Sequence, residues 1–199
     1  MADNKSKADL VYSYTLLKLK YLQNISESGA GKAALAELRH GVGKRPGELP
    51  ALWGIIFDKM PEELLGKKEA SYAEWAVYTA LTLYALHHQG NTDDVYQKDI
   101  SVGRAAGELV KNDDDTERIV NRLNTVVTAT SPNDLAYHLR GLIQLLRSSD
   151  IKLDHALLAK DLYLFNNNEI ADSIKLRWGR DFYSKLNNKN DKKEGNDNG

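Results

Sequence analysis

Basic side chains on helical stretches are the residues of this 199-residue sequence whose type and spacing suggest a chemistry. Arg118 and Arg122 lie four positions apart, a spacing that places both on one face of a helix. Arg140, Gln144 and Arg147 line up in a similar way on the following helical stretch. A guanidinium group binds phosphate through two parallel hydrogen bonds, so paired arginines on neighbouring helices suit the backbone of a nucleic acid.

Solvated helix faces are the alternative interpretation of these arginines. The acidic residues Glu117, Asp134 and Asp181 are available to pair with them, and charged helix faces are common in globular proteins. The net charge of −1 also argues mildly against a free-standing nucleic-acid-binding domain, which is usually clearly basic. Spacing alone leaves both alternatives open and favours the solvated faces.

A second basic segment lies at residues 41–47, where Lys44 and Arg45 stand among three glycines and a proline. This composition cannot form a regular element and predicts a loop. A flexible basic loop is able to reach a nucleic acid, but a plain solvated turn explains the same residues. Both interpretations stay open at the level of the sequence.

Signatures of catalysis or metal binding are weak. His87 and His88 precede Asp93 and Asp94, but adjacent histidines point to different sides of a helix and no third ligand has a recognisable spacing. We therefore interpret this segment as a solvated helix end. The sequence contains neither Gly-x-Ser-x-Gly nor His-Glu-x-x-His. It predicts no catalytic residue, no metal and no cofactor, although a buried titratable cluster around His138 would favour an unfamiliar enzyme.

The composition narrows the class of protein. Apolar residues make up 42% of the chain, which is enough for a substantial core, and cysteine is absent, which excludes disulfides and thiolate metal sites. The first ten residues are polar and lack an apolar signal core. No apolar run approaches the ~20 residues that cross a bilayer. We expect a cytoplasmic protein without a membrane partner.

Apolar residues recur at helical spacing in the segments that must position the basic residues. This periodicity predicts an all-α fold of about nine helices. The first helix is predicted over 7–25, with Leu10, Tyr14, Leu17 and Tyr21 as its apolar stripe and Lys18 pointing elsewhere. Trp75, Leu142 and Trp178 are expected to be buried. Further helices are predicted over 49–60 and over 71–90, where Ser71 and Glu74 form a capping box. Another runs from Ser101 to near Lys111, and two more begin after Asp115 and at Ser131. The last two run from Asp154 to Phe165 and up to about Leu186.

These helices are expected to form two packed bundle-like lobes. A polar, acidic connector near 91–100 separates an N-terminal lobe over 1–95 from a C-terminal lobe over 96–186. Residues 187–199 contain no large apolar side chain, so the sequence predicts a disordered tail there.

Six segments resemble, in order, the small subunit of the type I-E CRISPR surveillance complex Cascade, the CasB family. They include LRHGVGKRPGELP at 38–50, EWAVYTALTLYALHHQG at 74–90 and IKLRWGRDFY at 174–183. The others lie at 100–107, 117–129 and 135–165. The resemblance extends over roughly residues 8–186, and the tail after Leu186 has no part in it.

The resemblance implies an all-helical, non-catalytic subunit that takes part in antiviral defence. Two copies of such a subunit sit head to tail in the complex, against the backbone subunits that hold the guide RNA and against the large subunit. Their basic residues help to hold the target and displaced DNA strands of the R-loop, while base pairing with the guide reads the sequence. A separate nuclease-helicase cuts the DNA.

The same resemblance assigns nucleic-acid contacts to basic residues at matching positions. Phosphate contacts of this kind weaken as the salt concentration rises and do not distinguish between nucleic-acid sequences. Few aromatic residues accompany the basic ones in the sequence, so we expect base stacking to be minor. A helical scaffold whose arginines contact only protein is the alternative. The implied contacts are Arg39, Lys44, Arg45, Arg104, Arg118, Arg122, Arg140 and Lys160.

Overall fold

The computed structural model describes the backbone of residues 6–196 and the side chains of residues 6–112 and 114–188. Over these residues the fold is all-α, as predicted, and its only β-type pairing is an isolated bridge between Tyr96 and Leu153. Two short 3-10 turns, Pro50–Leu52 and Glu62–Leu64, lie between the helices. The helices are α1 (Lys7–Ile25), α2 (Gly29–His40), α3 (Trp53–Phe57), α4 (Tyr72–His88), α5 (Val102–Leu109), α6 (Asp113–Val127), α7 (Pro132–Ser148), α8 (His155–Leu164) and α9 (Asn168–Asn196).

Local capping chemistry sets where most helices begin. The predicted capping box at the start of α4 is confirmed: the Ser71 hydroxyl accepts a hydrogen bond from the Glu74 amide, and the Glu74 carboxylate accepts one from the Ser71 amide. The other side-chain caps are Ser6 of α1, Ser28 of α2, Ser101 of α5, Asn112 of α6, Ser131 of α7 and Asp154 of α8.

Helix α4 lies at the centre of the molecule and is buried on nearly all sides. Helices α1, α2, α7 and α8 pack around it, and one continuous hydrophobic cluster joins them. Leu142 and Trp178 are buried as predicted. Trp75 is only partly buried, so the prediction is wrong for that residue.

The buried face of α1 differs from the predicted stripe. Leu17 and Tyr21 are each 52% exposed, whereas Lys18 is buried together with Tyr14. The hydroxyl of Tyr14 donates to the backbone carbonyls of Ile56 and Asp58, both at 2.8 Å, which turns this face of the helix inward. The predicted stripe was therefore wrong at its C-terminal half.

Helices α5 and α9 approach each other closely because α5 carries glycines on the contact face. A Cβ atom at Gly103 would lie 1.9 Å from the backbone oxygen of Trp178, and one at Gly107 would lie 2.9 Å from that of Phe182. Only glycine permits this separation. The pair α5–α9, joined by α6 and α7, forms one lobe, packed against the lobe built around α4.

Helix α8 comes from the second half of the sequence but packs mainly against α1 and α4. The division of the chain at residues 95 and 96 stays a prediction. Helix α9 continues to Asn196, beyond the predicted end at Leu186, while the predicted disorder of residues 187–199 stays a prediction and 197–199 lie outside the described residues. No helix within 6–196 is both long and apolar enough to span a membrane.

Candidate nucleic-acid interface

The basic loop at 41–47 is held in place by the central helix. The hydroxyl of Tyr78 in α4 donates to the backbone carbonyl of Gly41 at 2.9 Å, and a Cβ atom at Gly41 would lie 2.7 Å from that hydroxyl. Gly43 and Gly47 have φ values of 83° and 94°, a region that favours glycine. The glycines thus define the path of the loop and confirm that it is not a regular element.

Lys44 and Arg45 are exposed on this loop. The amide of Arg45 donates to the Glu48 carboxylate at 3.0 Å, which closes the loop on itself. A narrow cavity behind the loop is lined by Lys44 together with Trp75 of α4 and Asn133 of α7. The loop therefore presents Lys44 at the N-terminal end of α7.

Helix α7 displays a continuous polar face to solvent. Asn133, Tyr137, Arg140 and Gln144 are exposed, and their spacing of four, three and four residues puts them on one side of the helix. Tyr137 is the most exposed of the large hydrophobic residues within the described part of the chain, at 70%. The opposite side of α7, which includes Leu142, packs into the core.

Arg122 of the neighbouring helix α6 lies at the flank of this face. Its Nη1 atom lies 3.0 Å from the position that a Cβ atom would take on Gly141, one residue after Arg140. We call the surface formed by Lys44, Asn133, Tyr137, Arg140, Gln144 and Arg122 the α7 strip. It carries three cationic side chains from three separate elements, and the spacing of these residues along the sequence does not indicate that they meet.

Arg118, the sequence partner of Arg122, makes a different contact. Its Nη2 atom donates to Asp115 at 2.6 Å within the first turns of α6. This hydrogen bond lowers the pKa of the Asp115 carboxyl. The two arginines that the sequence places on one helix face are thus divided between an ion pair and the α7 strip.

The remaining sequence-predicted residues lie elsewhere on the surface. Arg39 is partly exposed in the last turn of α2, and Arg104 is exposed on α5. The Nζ atom of Lys160 in α8 donates to the Asp9 carboxylate in the first turn of α1 at 2.7 Å, and this contact lowers the pKa of Asp9. Lys160 therefore joins α8 to α1 in this structure.

The histidines at the end of α4 correct one interpretation of the sequence. His87 is fully buried rather than solvated, with its Nδ1 atom 3.2 Å from Nε2 of the buried His155. Burial lowers the pKa of His87 to about 4 and holds that of His155 well below its ordinary value. His138, by contrast, is half-exposed and contacts Asp134 at 3.1 Å.

The chain is similar to proteins of known family. The family model described as CRISPR-associated protein Cse2 matches residues 34–183. No curated protein matches the chain. Among solved structures, CasB from Thermobifida fusca shares 32% identity with a TM-score of 0.76, over 87% of this chain and 97% of that chain.

Two more distant crystal structures share the fold. CasB from Thermus thermophilus has 24% identity and a TM-score of 0.65, covering 85% of this chain and 97% of its own. CasB from M. ruber has 20% identity and a TM-score of 0.64, covering 87% and 96%. The family match and the shared fold agree over most of the length of the chain, and so this chain belongs to the CRISPR-associated Cse2 family, the CasB small subunits.

Proposed function

We propose that this chain is a non-catalytic small subunit of the Cascade complex that binds nucleic-acid backbone and stabilises target DNA in the R-loop during antiviral defence. Membership of the Cse2 family supports the assembly. The observation that carries the DNA-holding role is that Arg122 lies against Gly141, at the flank of the exposed α7 face that carries Arg140 and begins beside Lys44. Three cations along one exposed face match a row of phosphates.

Phosphate binding on the α7 strip is electrostatic. Each neutralised phosphate releases condensed counterions, so the affinity falls as salt rises, and the contact carries no sequence information. The guide reads the sequence by base pairing. A net charge of −1 makes one isolated subunit a weak binder, and two copies beside the other subunits act together.

The other basic residues supply phosphate contacts outside the α7 strip in the proposal. Arg39, Arg45 and Arg104 are at least partly exposed and available to phosphates. Arg118 and Lys160 must first exchange their carboxylate partners for phosphate, which makes their contribution smaller. The proposed partners are the backbone and large subunits with their guide RNA, a second copy of the chain, and the target and displaced strands, all in the cytoplasm.

A scaffold that contacts only protein is the second candidate. The observation that favours it is the pair Leu17 and Tyr21 on α1, two large apolar side chains that are half exposed four residues apart. Exposed apolar pairs of this kind are typical of surfaces that another protein covers. In this alternative the basic residues contact acidic groups of neighbouring subunits.

The test compares DNA binding by Arg122→Ala/Arg140→Ala with binding by the matched control Lys67→Ala/Lys68→Ala, which removes two exposed cations from the loop before α4. Fluorescence anisotropy with single- and double-stranded DNA is measured across a salt series, for the chain alone and in the reconstituted complex. We expect the arginine variant to bind more weakly, with a salt slope reduced by about 2, and the lysine variant to match the wild type.

The two candidate functions separate in the same measurement. Weaker DNA retention with unchanged assembly supports the proposal. Weaker assembly with unchanged retention by the complexes that form supports the scaffold and rejects the α7 strip as a DNA contact.

A further inference from the structure

A groove with aromatic walls lies beside the α7 strip. It has a volume of about 290 Å³ and is formed by the start of α4, the α6–α7 loop, the end of α8 and the start of α9. Tyr72, Trp75 and Phe165 supply its aromatic side chains. Tyr72 is 51% exposed, and the other two are partly buried, so each residue is at least partly accessible to solvent. We call this feature the aromatic groove.

Trp75 connects the aromatic groove to the basic loop. The same indole lines the groove on one side and, on the other, the narrow cavity that Lys44 and Asn133 share. The groove therefore adjoins the N-terminal end of the α7 strip. A strand whose phosphates follow the strip has its next bases within reach of the aromatic rings.

The rim of the groove is polar and carries both hydrogen-bond donors and acceptors. The side chains of Asn166 and Asn168 lie on it, together with Ser131 and Lys175, whose ammonium group is 3.1 Å from Asp172. Amide groups pair with the edges of bases, and an ammonium group suits a phosphate. Aromatic walls, an amide rim and an adjacent cationic loop together fit a nucleotide better than an apolar peptide.

We propose that the aromatic groove binds unpaired bases of a single strand whose phosphates lie on the α7 strip. The inference rests on the proposed function and adds to it a preference for single strands. Every base has a π-face, so stacking on Tyr72 and Trp75 tolerates any sequence, whereas bases stacked inside a duplex cannot enter. This proposal departs from the prediction that base stacking is minor, because folding brings Tyr72, Trp75 and Phe165 together in one groove.

The experiment separates bases from phosphates. Three labelled ligands are compared at one salt concentration, on the full chain alone and in the reconstituted complex: a mixed-sequence single strand, an abasic strand of equal length and charge, and the duplex. We expect the base-containing strand to bind about tenfold more tightly than the abasic strand, as stacking on an aromatic side chain contributes in other single-strand binders.

Variants of Tyr72 assign the preference to the groove. Tyr72→Ala should weaken binding of the base-containing strand towards the abasic level and leave the abasic strand and the duplex unchanged, whereas Tyr72→Phe should keep the preference. Tyr21→Ala is the matched control, because Tyr21 is equally exposed on α1. Circular dichroism verifies that each variant is folded.

Three outcomes of these binding measurements would overturn the groove proposal. Equal affinity for the base-containing and abasic strands overturns the groove proposal and leaves the backbone proposal standing. Loss of complex assembly in Tyr72→Ala, with an unchanged ratio between the two strands, shows that the groove holds protein and also overturns the inference. No binding of any ligand, by the chain or the complex, overturns both proposals.

Discussion

The guanidinium group of Arg122 lies over Gly141, with Nη1 3.0 Å and Cζ 3.7 Å from the position of a Cβ atom on that glycine. The absent side chain leaves the space in which an arginine of α6 packs against α7, at the flank of its exposed face. A glycine inside a helix lowers its stability relative to alanine. Glycine at this position therefore lowers the stability of the helix but leaves the space that the proposed DNA contact needs.

Gly141→Ala is expected to stabilise the fold and weaken DNA binding. Alanine in a helix interior is favoured over glycine by about 0.5–1 kcal/mol. The new methyl group meets only the end of a flexible side chain, so Arg122 moves away at little cost. Urea unfolding measures the gain, and anisotropy with DNA measures the loss.

Gly179→Ala is the control for this variant, because a Cβ atom there meets nothing within 4 Å. It should give a similar gain in the free energy of unfolding with unchanged DNA affinity. DNA affinity retained in Gly141→Ala would show that the position of Arg122 does not matter for binding.

Gly103→Ala is expected to be strongly destabilising. The methyl group would lie 1.9 Å from a backbone oxygen of Trp178, which cannot rotate away, so α5 and α9 must separate. Overpacking of a core costs about 1–3 kcal/mol and occasionally more, and the contact with rigid backbone places Gly103→Ala at the upper end. Urea unfolding compared with Gly179→Ala tests the expectation, and equal stability of the two variants would contradict the close approach of these helices.

Leu142→Ala should lower the free energy of unfolding by about 2–5 kcal/mol, because Leu142 is buried in the core beneath the α7 strip. Leu176 offers a matched leucine that is 53% exposed, and its replacement by alanine should be nearly neutral. Thermal and urea unfolding of the two variants provide the measurement. Similar effects of the two substitutions would argue against the orientation of α7.

Acid is expected to destabilise the fold through His87 and His155. Both are buried and neutral, with pKa values lowered by burial, to about 4 for His87. The unfolded chain, with ordinary histidine pKa values near ~6.5, binds more protons between that value and about 4, so stability falls as pH decreases through this window. Each histidine contributes a slope of up to about 1.4 kcal/mol per pH unit.

The pH dependence is measured as the free energy of urea unfolding between about pH 7 and about pH 5, within the window set by the two histidines. His155→Gln should flatten the profile because it removes one of the two groups. The exposed His40 is the control, and His40→Gln should retain the wild-type slope. A steep profile in His155→Gln would show that other groups dominate the acid response.

Much of the fold could be predicted from the sequence because helix starts depend on local chemistry. Ser71 and Glu74 are three residues apart and satisfy each other's backbone amides wherever that segment lies in the molecule. Ser101, Ser131 and Asp154 are also local caps, because each side chain accepts a hydrogen bond from the amide three residues later. The glycine-rich loop that carries Lys44 was equally predictable, since its backbone conformation is a property of the glycines themselves.

Tertiary packing decided which face of each element is buried. The surrounding helices bury α4 on nearly all sides, so His87 lies in the core although its sequence position resembles a wet helix end. The contacts of Tyr14 turn Leu17 and Tyr21 outward.

The same packing shaped the candidate site. Arg118 and Arg122 share one helix face, yet Arg118 pairs with Asp115 while Arg122 packs against α7 at Gly141, beside its exposed face. The sequence alone therefore indicated the family and the basic residues. It also determined the helical elements, because their starts depend on interactions between residues a few positions apart. The surface on which those residues meet, and the aromatic groove at its end, depend on contacts between distant segments that local patterns do not encode.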